Sequence, residues 1–164
     1  MDELEKISDA AWLNRIKDSY ESLPFPPSHF WTFTFEKEPS ESRARHYVKR
    51  YFQLLAKVSD VDLFCLSSIG AGDNTRIHSH GVLFVEDFNK IQQDFKWAHG
   101  LQEWSAYDCS QGGIIYSIYG GRRKHSHYPF QMKAYCRDLS RSETLTKEIE
   151  RALLVGSQRN TFTQ

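Results

Sequence analysis

Between residues 29 and 35 aromatic and threonine side chains alternate, in the order His29-Phe30-Trp31-Thr32-Phe33-Thr34-Phe35. Strand side chains point to opposite faces in turn. The pattern therefore predicts a strand with Trp31, Phe33 and Phe35 on one face and Thr32 and Thr34 on the other. The period then changes. Ala44, Tyr47, Val48, Tyr51, Leu54, Leu55 and Val58 recur at helical spacing over residues 41–58, while Arg43, Arg45, Lys49 and Arg50 fall off that stripe. Ser40 stands where a hydroxyl can cap the first turn. Upstream, Leu4, Ile7, Ala11 and Ile16, with Trp12 and Leu13, predict a helix over residues 2–21, and Pro24, Pro26 and Pro27 end it.

Downstream, residues 62–69 and 76–85 read as two strands joined by a turn at Gly70-Ala71-Gly72-Asp73-Asn74. Residues 87–97 have helical spacing, with His99-Gly100 as a stop, and residues 104–109 read as a fourth strand. Gly112-Gly113 precedes Ile114-Ile115-Tyr116-Ser117-Ile118-Tyr119, which reads as a helix stopped by Gly120-Gly121, although the same residues also suit a strand. A short element near residues 128–136 and a helix over 142–154 follow, and residues 156–164 form a polar tail, expected to be flexible. The order predicts one α+β domain over residues 1–155, with a central antiparallel sheet of about five strands flanked by helices.

The chain has 164 residues, enough for one real core. Its net charge is zero, but the charge is graded. Residues 1–40 hold 4 Lys/Arg against 8 Asp/Glu, residues 41–118 hold 8 against 9, and residues 119–164 hold 9 against 4. Such a gradient can put a cationic face on a neutral protein. No apolar run approaches the roughly 20 residues that span a bilayer, so no membrane association is expected. The acidic, charge-interrupted N-terminus resembles neither a secretory signal nor a transit peptide. Cys65, Cys109 and Cys136 are odd in number and widely spaced, which predicts buried thiols in a reducing, intracellular setting rather than a disulfide framework.

The sharpest chemical feature is His78-Ser79-His80, followed by Gly81-Val82-Leu83-Phe84. On a strand, residues two apart share a face, so the two imidazoles can grip one divalent metal. The sequence carries a second such triplet, His125-Ser126-His127, so the pattern alone is weak. The other feature is the pair Tyr116 and Tyr119 in GGIIYSIYGGRRKH. A phenol becomes a nucleophile when a neighbouring cation favours its anion or a metal activates its electrophile.

Together, FWTFTF, then HSHGVLF, then a tyrosine 36 residues after His80 resemble the three ordered motifs of the HUH endonucleases. The likeness is greatest to the rolling-circle replication initiator (Rep) proteins of small single-stranded DNA viruses, phages and plasmids, and it covers about residues 29–124. The resemblance implies an HUH/RRM-like fold. It also implies Mn2+ or Mg2+ on His78 and His80, and Tyr116 or Tyr119 as the nucleophile. The activity implied is site-specific nicking and joining of single-stranded DNA through a 5′-phosphotyrosine, which starts rolling-circle replication. The implied partners are an origin hairpin or similar single strand, and a host or partner helicase and polymerase, in the host cytoplasm or nucleoid. Arg122, Arg123 and Lys124, beside the tyrosines, are candidate phosphate contacts, as are Arg43 and Lys49 with their helix neighbours. Trp97, Trp104, Tyr107 and Tyr128 are candidate stacking platforms.

Three departures stand out. Ser79 replaces a hydrophobic residue, Tyr119 stands where relatives carry a lysine, and Ser67-Ser68-Ile69 stands where relatives often place a third, acidic ligand. That ligand stays open, with Asp73, Glu36, water and the target phosphate as options. An HUH transposase or relaxase and a non-catalytic single-strand-binding module are the alternatives. A histidine-triad phosphohydrolase needs a third histidine where Val82 stands.

Overall fold

The Phe/Thr alternation becomes strand β1, Pro27–Thr34, of a five-stranded antiparallel sheet. The computed structural model describes residues 18, 21, 23, 25–72, 75–108 and 131–156. Over these the order is β1, helix α1 (Glu41–Ser59), β2 (Leu63–Gly72), β3 (Thr75–Val85), a single 3-10 turn (Phe88–Lys90), β4 (Gln102–Ala106), β5 (Gln131–Tyr135) and helix α2 (Leu139–Gly156). The strands lie in the order β4-β1-β3-β2-β5, and every neighbouring pair is antiparallel. This is the expected α+β class. Of the predicted helix over 2–21 only residues 18 and 21 are described, both helical; residues 109–130, which include both tyrosines, and the tail beyond 156 lie outside the described residues.

One face of the sheet is covered by α1. Trp31, Phe33 and Phe35 from β1 and the segment just after it, Leu63, Cys65 and Ile69 from β2, and Ile77, Leu83 and Val85 from β3 point to that side. They pack on Ala44, Val48, Tyr51, Phe52 and Leu55. The cluster is dense in rings: Phe33 stacks on Trp97 at 4.5 Å and meets the edge of Tyr51 at 5.0 Å. The N-cap is as expected, with Ser40 Oγ accepting from the Arg43 N–H at 3.3 Å. Asp60 ends the helix in the left-handed region at φ 53°, and its N–H reaches back to Ala56 and Lys57. Phe52 joins the buried stripe, whereas Val58, counted in it from the sequence, is 48% exposed near the last turn.

The other face carries Phe64, Leu66, Val82, Phe84 and Ala134, covered by Leu145 and Ile149 of α2 and flanked by Phe25, Phe30 and Tyr107. Gly81 lets the two faces coexist on β3. A methyl there would meet the Leu66 carbonyl oxygen and sit 2.7 Å from the ring of Trp31, which crosses the strand at this point. Of the cysteines, Cys65 and Cys136 are buried free thiols, as expected, and Cys109 lies outside the described residues.

Four elements depart from the sequence reading or sharpen it. Residues 87–97 do not form a helix beyond the short turn at Phe88–Lys90. The apolar residues of this stretch dock separately instead. The Trp97 indole N–H donates to the Thr34 carbonyl at 2.8 Å, and the Tyr51 hydroxyl donates to the Phe95 carbonyl at 2.8 Å. These tertiary bonds compete with helix formation. The fourth strand runs over Gln102–Ala106, starting earlier than expected, because pairing with β1 sets its register from Phe33↔Gln102 to His29↔Ala106. The short element near 128–136 is the edge strand β5, paired to β2. Finally, α2 starts at Leu139, ahead of the expected 142, and Ser142 inside it accepts from the Cys136 N–H at 2.6 Å.

Candidate metal and single-strand site

Strand β3 is central, between β1 and β2, and its register decides where the imidazoles go. Thr32 pairs with His80, Thr34 with His78, Ser68 with His80 and Gly70 with His78. Paired and alternate residues share a face, so His78 and His80 continue the line of Val82 and Phe84 on the α2 side. That face is thus divided along the strands. One half is apolar and lies under α2; the other carries Thr32, Thr34, Ser68, His78 and His80.

The two imidazoles face each other with centroids 5.5 Å apart and planes inclined by 27°. His78 is half-buried, and its Nδ1 lies 3.0 Å from the Arg76 carbonyl oxygen. A carbonyl only accepts, so Nδ1 carries the proton, and a neutral ring then has its lone pair on Nε2. That nitrogen lies over Gly70, where an added methyl would sit 2.7 Å from both Nε2 and Cε1. His80 is only 6% exposed, and its Nε2 is 3.3 Å from Ser68 Oγ. Ser79 points to the opposite face, where its hydroxyl donates to the Ser68 carbonyl at 3.1 Å. The serine within the His-Ser-His triplet is therefore a buried strand-to-strand tie rather than a ligand.

The donor set matches a divalent transition metal in kind, since neutral imidazole nitrogens are ordinary ligands for such ions, whereas Mn2+ and Mg2+ draw most of their ligands from oxygen. It is short in number. Among the described residues no group of three or more His, Cys, Asp and Glu is placed to hold a metal. Asp73, one of the acids considered from the sequence, lies outside the described residues, and Glu36 offers its backbone carbonyl to Arg76 at 3.1 Å.

A groove of about 700 Å3 opens beside His78, lined by Thr32, Thr34, Arg76, Gly100 and Leu101 among others. Arg76 is on the imidazole face, two residues before His78, and is exposed. It is the cation that accompanies the histidines within the described residues, and the sequence reading missed it. Strand parity alone would have found it, since it precedes His78 by two on the same strand. Glu103 needed the pairing: it sits opposite Thr32 on β4, in the same cross-strand row as His80 and Ser68.

The other candidate contacts divide. Arg43 lines a neighbouring cavity of about 600 Å3 with Tyr47 and His99, which meets the His78 groove at Phe35, Glu36 and Ala98. Lys49 does not join the site. It lies on the α1 side of the sheet, and burial first, then Lys133 and Arg45, lower its pKa. Trp97 is buried in the core, whereas Trp104 is half-buried against a third cavity. Tyr107 is half-buried beside Phe30. Tyr116, Tyr119, Arg122, Arg123, Lys124 and Tyr128 lie outside the described residues.

Comparison with known protein families, with curated proteins and with solved structures finds no match. Among the described residues no helix is long and apolar enough to cross a membrane.

Proposed function

We propose that this chain is an HUH-type endonuclease that nicks and rejoins single-stranded DNA to initiate rolling-circle replication. The observation that carries the reading is the His78/His80 pair. Both imidazoles lie on one face of the central strand, 5.5 Å apart, and His78 lines a groove that Arg76 also lines. The ordered motifs in the sequence support it further, since Tyr116 or Tyr119 follows on the chain with Arg122, Arg123 and Lys124 beside it.

His78 and His80 would hold Mn2+ or Mg2+, which when bound withdraws charge from a scissile phosphate. The chain's own groups supply the rest. The Arg76 carbonyl holds the proton on His78 Nδ1 and so leaves the lone pair on the other nitrogen, above Gly70. Arg76 and the basic run at 122–124 attract and orient the phosphate backbone. The tyrosine phenol loses its proton and its oxygen bonds to phosphorus. The P–O3′ bond breaks, the 3′ oxygen takes up a proton, and a 5′-phosphotyrosine and a free 3′-OH result. The energy of the original phosphodiester stays in the new ester, so the reverse attack by a 3′-OH rejoins the strand. The 3′-OH can prime a polymerase, with strand separation by a partner helicase.

The test is incubation with a pool of labelled single-stranded oligonucleotides and Mn2+, read on a denaturing gel as a protein band that gains the label. Tyr116→Phe is expected to remove the adduct while leaving Mn2+ binding unchanged, and His78→Ala to remove both. Loss with Tyr119→Phe alone moves the nucleophile within the pair and leaves the mechanism standing. No adduct with either metal, or an adduct that survives both tyrosine variants together, overturns the reading. Single-strand binding without an adduct would favour a non-catalytic binding module.

A further inference from the structure

Three cavities surround the segment Ala98-His99-Gly100-Leu101, which extends the sheet beyond β4 by pairing with the end of β1. The Thr34 N–H donates to the Leu101 carbonyl at 3.0 Å, and the Glu36 N–H to the His99 carbonyl at 2.8 Å. Two of the cavities contain carboxylates: the His78 groove includes Glu36, and the Arg43 cavity includes Glu36 and Glu38. The third, of about 470 Å3, has none among its lining residues. Its walls are aromatic and amide, with one ammonium group: His29, Phe88 and Trp104, Gln93 and Gln102, and Lys96.

The lining rings pack on one another: His29 stacks on Phe88 with centroids 3.6 Å apart and planes 22° apart, and Phe88 leans on Trp104 at 6.0 Å with planes inclined by 58°, so a flat guest stacks on their outer faces. Burial lowers the pKa of His29, which favours a neutral ring. The cavity and the His78 groove lie on opposite faces of the sheet, with Gly100 and Leu101 as a wall common to both. Leu101 is 73% exposed on that shared wall. An exposed leucine between a polar groove and an aromatic pocket is placed to separate adjacent bases. Among the described residues β4 is an edge strand of only five residues, and a chain passing round it goes from one face of the sheet to the other.

We infer that the His29/Phe88/Trp104 cavity is a nucleobase pocket, which takes a flanking base of the same single strand whose phosphate lies at His78. The inference rests on the function proposed above and adds where the strand runs. Lys96 meets the phosphate of the captured nucleotide, Trp104 and the His29–Phe88 pair stack on its base, and Leu101 wedges it from its neighbour.

The test is binding of a fluorescein-labelled, mixed-sequence single-stranded oligonucleotide, followed by anisotropy over a range of salt. Aromatic stacking on one base is worth about 1–3 kcal/mol, so Trp104→Leu is expected to raise Kd by roughly five- to 150-fold. Trp104 also packs on the core, so Lys96→Glu and Leu101→Ser, both at exposed positions, carry the test if that variant fails to fold. Lys96→Glu should weaken binding and flatten the salt slope by about 0.7, the loss of one phosphate contact on a single strand. Mn2+ binding by these variants should match that of the unaltered protein. If the unaltered protein binds the oligonucleotide and Lys96→Glu and Leu101→Ser bind it equally well, the pocket is off the strand's path and the inference falls alone. If the unaltered protein binds no single strand at all, the function proposed above falls with it.

Discussion

The two faces of the sheet are built from the same five strands and are used differently. On the α1 side, rings fill the space from β4 to β5: Trp104, Trp31, Phe33, Phe52 and Tyr135 lie in one continuous cluster. On the α2 side, aromatic and aliphatic packing covers only the half with Phe64, Leu66, Val82 and Phe84. The other half ends in threonines, serine and the two imidazoles. Burial of a large ring contributes about 1.5–3 kcal/mol. The α1 face therefore supplies much of the stability, and the polar half of the opposite face can carry groups that contribute little to folding.

Removing the centre of the stable face should have the largest effect. Phe33 is fully buried and contacts Trp31, Tyr51, Phe52 and Trp97, so Phe33→Ala is expected to cost about 3–5 kcal/mol in urea unfolding. A cost below that of a single surface change would mean that the stability lies elsewhere.

On the divided face the effects should separate into stability and metal affinity. Ser68→Ala leaves the buried His80 without that hydroxyl, for about 1–3 kcal/mol of stability. It should also weaken Mn2+ binding by about ten- to 100-fold, as expected when a partner that orients a ligand is lost. Gly70→Ala sharpens the contrast further. The added methyl collides with the His78 ring, which is half-exposed and can swing away. Stability should change by less than about 1 kcal/mol, whereas Mn2+ affinity, measured by calorimetry, should fall at least tenfold. Equal losses in both measurements would erase the distinction between the two halves.

The smallest effect should come from the strap between α2 and the start of β2, where Arg141 meets Asp62 at 2.7 Å. Burial raises the Asp62 pKa, but hydrogen bonds from Arg141 and Cys136 and the charge of Arg141 outweigh it, leaving the carboxyl below its usual value. Such a group stabilises above its unfolded pKa and loses that contribution as pH falls through the folded value. Arg141→Ala should therefore cost under about 1 kcal/mol at neutral pH, and the difference from the unaltered protein should fade on acidification below about pH 4. Urea titrations at two pH values check this.

Local patterns were legible where one period dominated. Trp31, Phe33 and Phe35 fell on one face as their alternation implied, and the Ser40 cap and α1 followed from helical spacing. Residues 87–97 misled because Phe88, Ile91 and Phe95 have helical spacing. Their positions are decided by partners far along the chain, among them Tyr51 and the Thr34 carbonyl. At the site, the pairing of His78 with His80 was readable from strand parity alone. Arg76 was equally readable, two residues before His78 on the same strand, but Ser68 and Gly70 were not, since each depends on which strand lies beside β3 and in what register. Lys49 was selected by charge, which does not tell which side of the sheet a helix covers.

The central place of β3 has a kinetic consequence. Both its edges are occupied, by β1 and by β2, so its amides can exchange with solvent only when a neighbouring strand detaches. The backbone beneath the imidazoles should thus be among the slowest in the molecule to take up deuterium. The Cα positions that carry the two rings are therefore fixed by their neighbours, while the half-exposed His78 ring keeps its own rotamer freedom.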